Sequence, residues 1–250
     1  MKTIAQHNRL WLKSVAVIFG LSFLVPWTTA QARIIFKAPD GLGVPGRRVA
    51  GGSRSIQQQC LSPNEHLVAI VPKSNIVLTT QAKPVFFFYV PQTSATIEFV
   101  VQDNDQQVVL AKQIYKSTSK SGIVSIPLTQ TSLEAGKQYR WFFSVICNPK
   151  ERSQDKVVEG GIRRISPDSQ LATKLKNASA KELVNIYAEA GIWQDSLGTL
   201  AQQLVSHPND QGLKTDWKEL LTAENVNLDK ESTKLLNEPL LPLQQTTDPI

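Results

Sequence analysis

Leu133-Glu134-Ala135-Gly136-Lys137-Gln138-Tyr139-Arg140-Trp141-Phe142-Phe143-Ser144-Val145-Ile146-Cys147 is the stretch that decides the fold. Its first half carries Leu133, Gly136 and Tyr139 at the spacing of a tyrosine corner, in which the phenol bonds back to upstream backbone as a fifth strand turns into a sixth. Its second half alternates. By the period-2 rule Tyr139, Trp141, Phe143, Val145 and Cys147 share one face, while Phe142 and Ile146 lie on the other. The competing reading is a tyrosine that follows a glycine turn by coincidence.

Outward from this strand, β-type runs separated by turn residues predict strands near 66–71, 85–90, 95–102, 107–115, 122–128, 139–147 and 157–165. Asp103-Asn104-Asp105 is a tight-turn cluster, and 76–80 is a further apolar stretch that belongs with the first crossing. The expected fold class is mainly β plus α: a seven-stranded immunoglobulin/fibronectin-like β-sandwich over 59–166, then a small helical segment over 167–237. Residues 33–58 form an extended Gly/Arg-rich lead-in, since glycines and prolines leave no helical period.

From Ser166 the apolar period lengthens to 3.6. Ser179 with Glu182 makes a capping box for a helix through Leu183, Ile186 and Tyr187 that Gly191 ends. Further helices are expected around 195–205 and 209–222, and a short one over 228–236. Leu183, Tyr187, Gly191, Trp193, Ser196, Leu200, Leu204 and Pro208 stand at tetratricopeptide-like spacing. One such unit cannot form a solenoid, so a hairpin docked on its neighbours is expected, with an open peptide groove as the alternative. The tail, 238–250, has three prolines and no period and is expected to be disordered.

Residues 1–32 resemble an export address. Lys2, Arg9 and Lys13 precede an apolar run from Ser14 to Val25; Pro26 breaks it, and Ala30-Gln31-Ala32 offers a small-x-small cleavage site after Ala32. The run falls short of the roughly 20 residues a membrane span needs. The product is therefore expected to be exported, periplasmic or extracellular, with no transmembrane segment after leader removal. Losing the leader removes three of 27 basic residues and none of 21 acidic ones, so the net charge falls from +6 to +3. The remainder is uneven: 33–165 holds 17 basic and 9 acidic groups, and 166–250 holds 7 and 12. Without a long basic run, no nucleic-acid partner is expected.

Export makes Cys60 and Cys147, the two cysteines of the chain, a structural disulfide. If the strands alternate, the approach to the first strand and the end of the sixth meet at one pole. A reactive thiol or a metal ligand is the alternative, but neither cysteine has a Cys-x-x-Cys or a nearby histidine. Gly41-x-Gly43-x-x-Gly46 matches a dinucleotide pattern in letters alone, for Pro45 sits inside it and Gly51-Gly52 breaks any helix that should follow. Arg47, Arg48 and Arg54 flank that glycine pair and could form an anion or partner surface; a solvated loop is the competing reading. His66 and His207 stand alone, and no metalloprotease, serine-hydrolase or EF-hand pattern occurs, so no catalytic residue, metal or cofactor is assigned. Trp141, Trp193 and Trp217 could stack on sugar but sit at core spacing.

The motifs Phe36-x-x-Pro39, Gly43-x-Pro45-x-Arg47-Arg48, Gly51-Gly52-Ser53-Arg54, Cys60, Val71-Pro72, Pro84-x-Phe86-x-Phe88-Tyr89-Val90-Pro91, Tyr139-x-Trp141 ending in Cys147, and Tyr187-Ala188-x-x-Gly191-Ile192-Trp193-x-Asp195 together resemble the cyanobacterial family known as domain of unknown function 928. The resemblance spans about 36–225. It implies an exported protein of a photosynthetic bacterium, without an established activity. One departure stands at Gly160-Gly161-Ile162, where family members tend to carry an aromatic after the first glycine. The expected function is a non-enzymatic periplasmic or envelope protein-interaction module with a protein partner; the alternative is a protein that binds or hydrolyses cell-wall or surface glycans.

Overall fold

The computed structural model describes residues 33–50, 60–62, 64–105, 107–231 and 234–246. Strands β1 (Val68–Ala69), β2 (Ile76–Thr79), β3 (Val85–Val90), β4 (Thr96–Asp103), β5 (Val109–Lys116), β6 (Gly122–Pro127), β7 (Gln138–Ile146) and β8 (Lys156–Arg164) come first. Helices α1 (Ser169–Asn177), α2 (Ala180–Glu189), α3 (Trp193–Ser206) and α4 (Gln211–Thr222) follow. Two single 3-10 turns, Leu228–Lys230 and Leu235–Asn237, lead to β9 (Leu240–Pro242) and β10 (Gln244–Thr246). One sheet has the order β1-β3-β6-β9 and the other β10-β5-β4-β7-β8-β2.

Alternation in β7 sets the interior. Tyr139, Trp141, Phe143 and Val145 are buried, and they face β3, whose Phe88 stacks on Phe143 with centroids 3.9 Å apart while Phe86 lies 4.8 Å from Phe99 of β4. These rings join the two sheets face to face. Phe87, Tyr89 and Ile123 point to the opposite face of the smaller sheet and are buried as well, so that sheet is covered on both sides. Helix α3 lies against β2 and β3, and Trp193, Leu197, Leu200, Trp217 and Leu220 belong to the same hydrophobic core as the sheet residues. A smaller cluster of Leu78, Tyr187 and Ile192 seats α1 and α2 beside β2.

Gly160 in β8 is required by close approach rather than by a turn. A Cβ there would stand 2.5 Å from the Trp141 ring and 2.6 Å from the Asn75 carbonyl oxygen. Gly160→Val should therefore cost about 1–3 kcal/mol through overpacking, read as a lowered urea midpoint at unchanged m-value. At the neighbouring Gly161, Val44 and Ile76 occupy the space beside the backbone. The lead-in thus covers the spot where the family resemblance implies an aromatic.

Both flanks of the sheet pair are laced. On one side the lead-in bridges β8 through Arg47 and Glu159 and β1 through Val49 and Val68, while β2 runs parallel to β8. On the other side β9 pairs parallel with β6 and β10 pairs antiparallel with β5. This corrects two expectations: the described residues hold ten strands rather than seven, and 238–246 are ordered against sheet edges rather than disordered. Backbone pairing needs no apolar period, so three-residue strands leave little mark in a sequence. Leu240, Leu241 and Leu243 add half-buried side chains against the core.

On the outer face of the larger sheet, Glu98 of β4 bonds Arg152 at 2.7 Å and Lys112 at 2.8 Å. Burial pushes its carboxyl upward, but these two cations outweigh burial and leave the pKa below its ordinary 4.5. Glu98 therefore stabilises the fold above the ordinary carboxylate range, and that contribution disappears as pH falls through the lowered folded-state value. Glu98→Gln should cost about 1 kcal/mol at neutral pH, because both cations remain in contact with solvent. Urea midpoints of the variant and the parent should converge in acid.

Candidate functional site

Cys60 and Cys147 are joined as a disulfide with Cα atoms 5.2 Å apart, closing 87 residues of chain. The bond ties the approach to β1 to the end of β7, and the Thr93 hydroxyl holds the Cys60 carbonyl at 2.8 Å. In the turn before β7, Tyr139 Oη accepts the Glu134 N–H at 2.8 Å. Leu133 is buried beneath that turn. Gly136 takes φ +84°, a left-handed conformation that glycine adopts without a Cβ penalty. Arg164 locks the same turn by donating to the Leu133 carbonyl at 2.8 Å.

The arginines of the lead-in do not form one exposed cluster. Arg48 turns inward: its guanidinium donates to the carbonyls of Val71 at 3.3 Å and Val226 at 2.6 Å and pairs with Glu231, with 9% of the side chain exposed. It is a clamp between the lead-in, the loop after β1 and the segment after α4. Arg47 is exposed, and its backbone exchanges hydrogen bonds with Glu159 at 3.0 and 2.9 Å. Adjacent residues on an extended segment point to opposite sides, which separates the two arginines. Arg54, with Gly51 and Gly52, lies outside the described residues, as do residues 1–32, where a leader with cleavage after Ala32 is expected.

Three consecutive side chains that open α3 dock the helical layer. Trp193 Nε1 donates to the Ile70 carbonyl at 2.9 Å, Gln194 Nε2 donates to the Val85 carbonyl, and Asp195 accepts from the Thr79 hydroxyl and the Thr80 backbone N–H, the latter at 2.9 Å. Burial lifts the Asp195 carboxyl above its ordinary value, further than the threonine hydrogen bonds pull it down. Its oxygens are occupied by the threonines of β2 and its neighbour, so its chemistry is that of an acceptor holding a helix to a sheet edge. Trp141 and Trp193 are fully buried, so neither offers a ring face for a sugar. The Tyr187–Asp195 motif marked this region, but a sequence cannot say which carbonyls a tryptophan or a glutamine will meet.

An open cleft lies at the C-terminal end of α3. Leu204 and Val205 of α3, Trp217 of α4 and Leu236 and Leu240 of the C-terminal segment surround a cleft of about 660 Å³. Ligand sites commonly fall in this size range. Val205 is 68% exposed at its rim. Lys214 and Lys218, one helical turn apart on α4, also line it. Neither ammonium has a carboxylate in salt-bridge range among the described residues. Glu238, in the opposite wall, accepts from the Ser121 hydroxyl at 3.0 Å. The apolar stripes of α3 and α4 were legible, but Val205 lies off the stripe of Leu197, Leu200 and Leu204. An apolar residue outside a stripe is the one sequence signal that marked this rim.

Among the described residues no group of three or more His, Cys, Asp or Glu side chains could hold a metal ion, and no helix is long and apolar enough to cross a membrane. A family model described as Domain of Unknown Function (DUF928) matches residues 49–236. No curated protein matches the chain.

Proposed function

We propose that this chain, which belongs to the domain of unknown function 928 family, is an exported, non-enzymatic interaction module that receives a protein partner of the cell envelope in the cleft between α3 and α4. The exposure of Val205 beside the buried Trp217 carries the proposal, because an apolar rim over a concave floor is a surface suited to burial by a partner. The scaffold is a fibronectin-like sandwich. Supporting this, the first, second and fifth of the seven core strands share one sheet and the fourth, third, sixth and seventh the other. α2 and α3 make a tetratricopeptide-like hairpin, supported by the small Ser196 crossing to the Val184 carbonyl at 2.9 Å. Both modules commonly serve adhesion, which is an analogy of fold.

Export follows from the leader and accords with the disulfide. N-terminal sequencing of the mature product should begin at Arg33; a product beginning at Met1 would contradict it. For the cleft, affinity capture from envelope extracts should recover partners that bind the parent and a Val109→Asp control on β5 but not a Val205→Asp variant. Recovery that is indifferent to Val205→Asp would overturn the cleft as the contact surface.

A further inference from the structure

We propose that the partner segment is an acidic amphipathic helix, with two carboxylates one turn apart that meet Lys214 and Lys218 and apolar side chains that cover Trp217 and Val205. This rests on the cleft being the contact surface and adds the chemistry of what enters it.

The charges of the helical half make the two lysines conspicuous. Residues 166–250 hold 12 acidic groups against 7 basic ones, yet neither Lys214 nor Lys218 is paired within the described residues. The nearby acids are engaged elsewhere. Asp210 caps α4 through Gly212 and Leu213, Glu219 accepts the Ile34 N–H at 3.2 Å, and Glu238 holds Ser121. Among the described residues, two cations without a carboxylate partner therefore remain at the edge of an apolar floor.

Their spacing selects the ligand. Residues four apart on a helix stand about 5–6 Å from each other, which matches carboxylates at i and i+4 on a second helix. Amphipathic helices enter apolar grooves in this manner, with anchors repeating at i, i+3, i+4 and i+7. A single-carboxylate amphiphile would engage one ammonium and leave the other unpaired. The two-lysine pattern therefore favours a peptide over a fatty acid.

The test uses purified, oxidised protein expressed with its own leader. A helix-biased 16-residue phage library is selected on the parent and on a Lys214→Glu/Lys218→Glu variant, and enriched peptides are measured by fluorescence anisotropy. The parent should enrich peptides with Glu or Asp at i and i+4 beside Leu, Ile or Phe. Charge reversal should weaken those peptides roughly 10-fold or more and turn selection toward basic sequences. If reversal impairs folding, Lys214→Gln/Lys218→Gln should still lower their affinity and flatten its salt dependence. Peptides enriched without acidic preference but lost on Val205→Asp would overturn this inference and leave the cleft standing. Binding insensitive to Val205→Asp would overturn both. Dodecanoate displacing the peptides in proportion to its occupancy of both lysines would overturn the helical ligand in favour of an anionic lipid.

Discussion

Replacing both cysteines, Cys60→Ser with Cys147→Ser, should lower the unfolding free energy by about 4–5 kcal/mol. The bond closes 87 residues, and in the chain-entropy model the cost of closing so long a loop in the unfolded state is what the crosslink removes. Its placement adds to the effect. It fastens the segment before β1, a strand of two residues, to the end of β7, which sits in the middle of the larger sheet. At the same point the Thr93 hydroxyl holds the Cys60 carbonyl. Equilibrium urea denaturation of oxidised parent and double serine variant should show the loss. Reduction of the parent should reproduce it. A variant within about 1 kcal/mol of the parent would mean that the denatured chain is already constrained across this loop.

Trp193→Ala should cost about 3–5 kcal/mol, as truncation of a fully buried aromatic commonly does. Trp193 is 0% exposed, and Phe36 of the lead-in meets its ring edge-on at 5.0 Å. Its indole N–H satisfies the Ile70 carbonyl, so truncation leaves both a cavity and an orphaned acceptor. Trp193→Phe separates the two losses: it keeps most of the apolar volume, gives up the hydrogen bond and should cost about 1–3 kcal/mol. Because Gln194 and Asp195 dock the same helix end, the damage should concentrate in the helical layer. Amide exchange should rise first in α2, α3 and α4, with β4 and β7 protected until global unfolding. Uniform loss of protection across sheets and helices would contradict this division.

Local rules made much of the two sheets legible. Residues 133–147 carried their own turn and alternation, and six of the seven runs read as strands coincide closely with β3 to β8, while the run at 66–71 shortens to the two residues of β1. The Ser179–Glu182 capping box is closed at both hydrogen bonds, since four residues decide it. β9, β10 and α1 escaped because their positions are set by what they touch. β9 and β10 are short backbone additions to existing edges, and α1 buries no residue fully. The lead-in arginines show the same limit: Arg48 finds its partner 183 residues away in Glu231, which no spacing announces. The cleft was hidden for a related reason. Its walls come from α3, α4 and 236–240, and its two lysines look like ordinary solvent-facing residues until the described residues are seen to offer them no carboxylate.

The most direct test of the cleft as contact surface is site-specific photo-crosslinking in the native host. A benzophenone amino acid is placed at Val205 and, as control, at Val109, which is also apolar and 51% exposed but lies on β5. If the cleft is the contact surface, position 205 gives a covalent adduct with an envelope protein and position 109 gives none, and the adduct is lost when Lys214 and Lys218 are both changed to Glu. Adducts of equal yield from both positions, or from 109 alone, would contradict it.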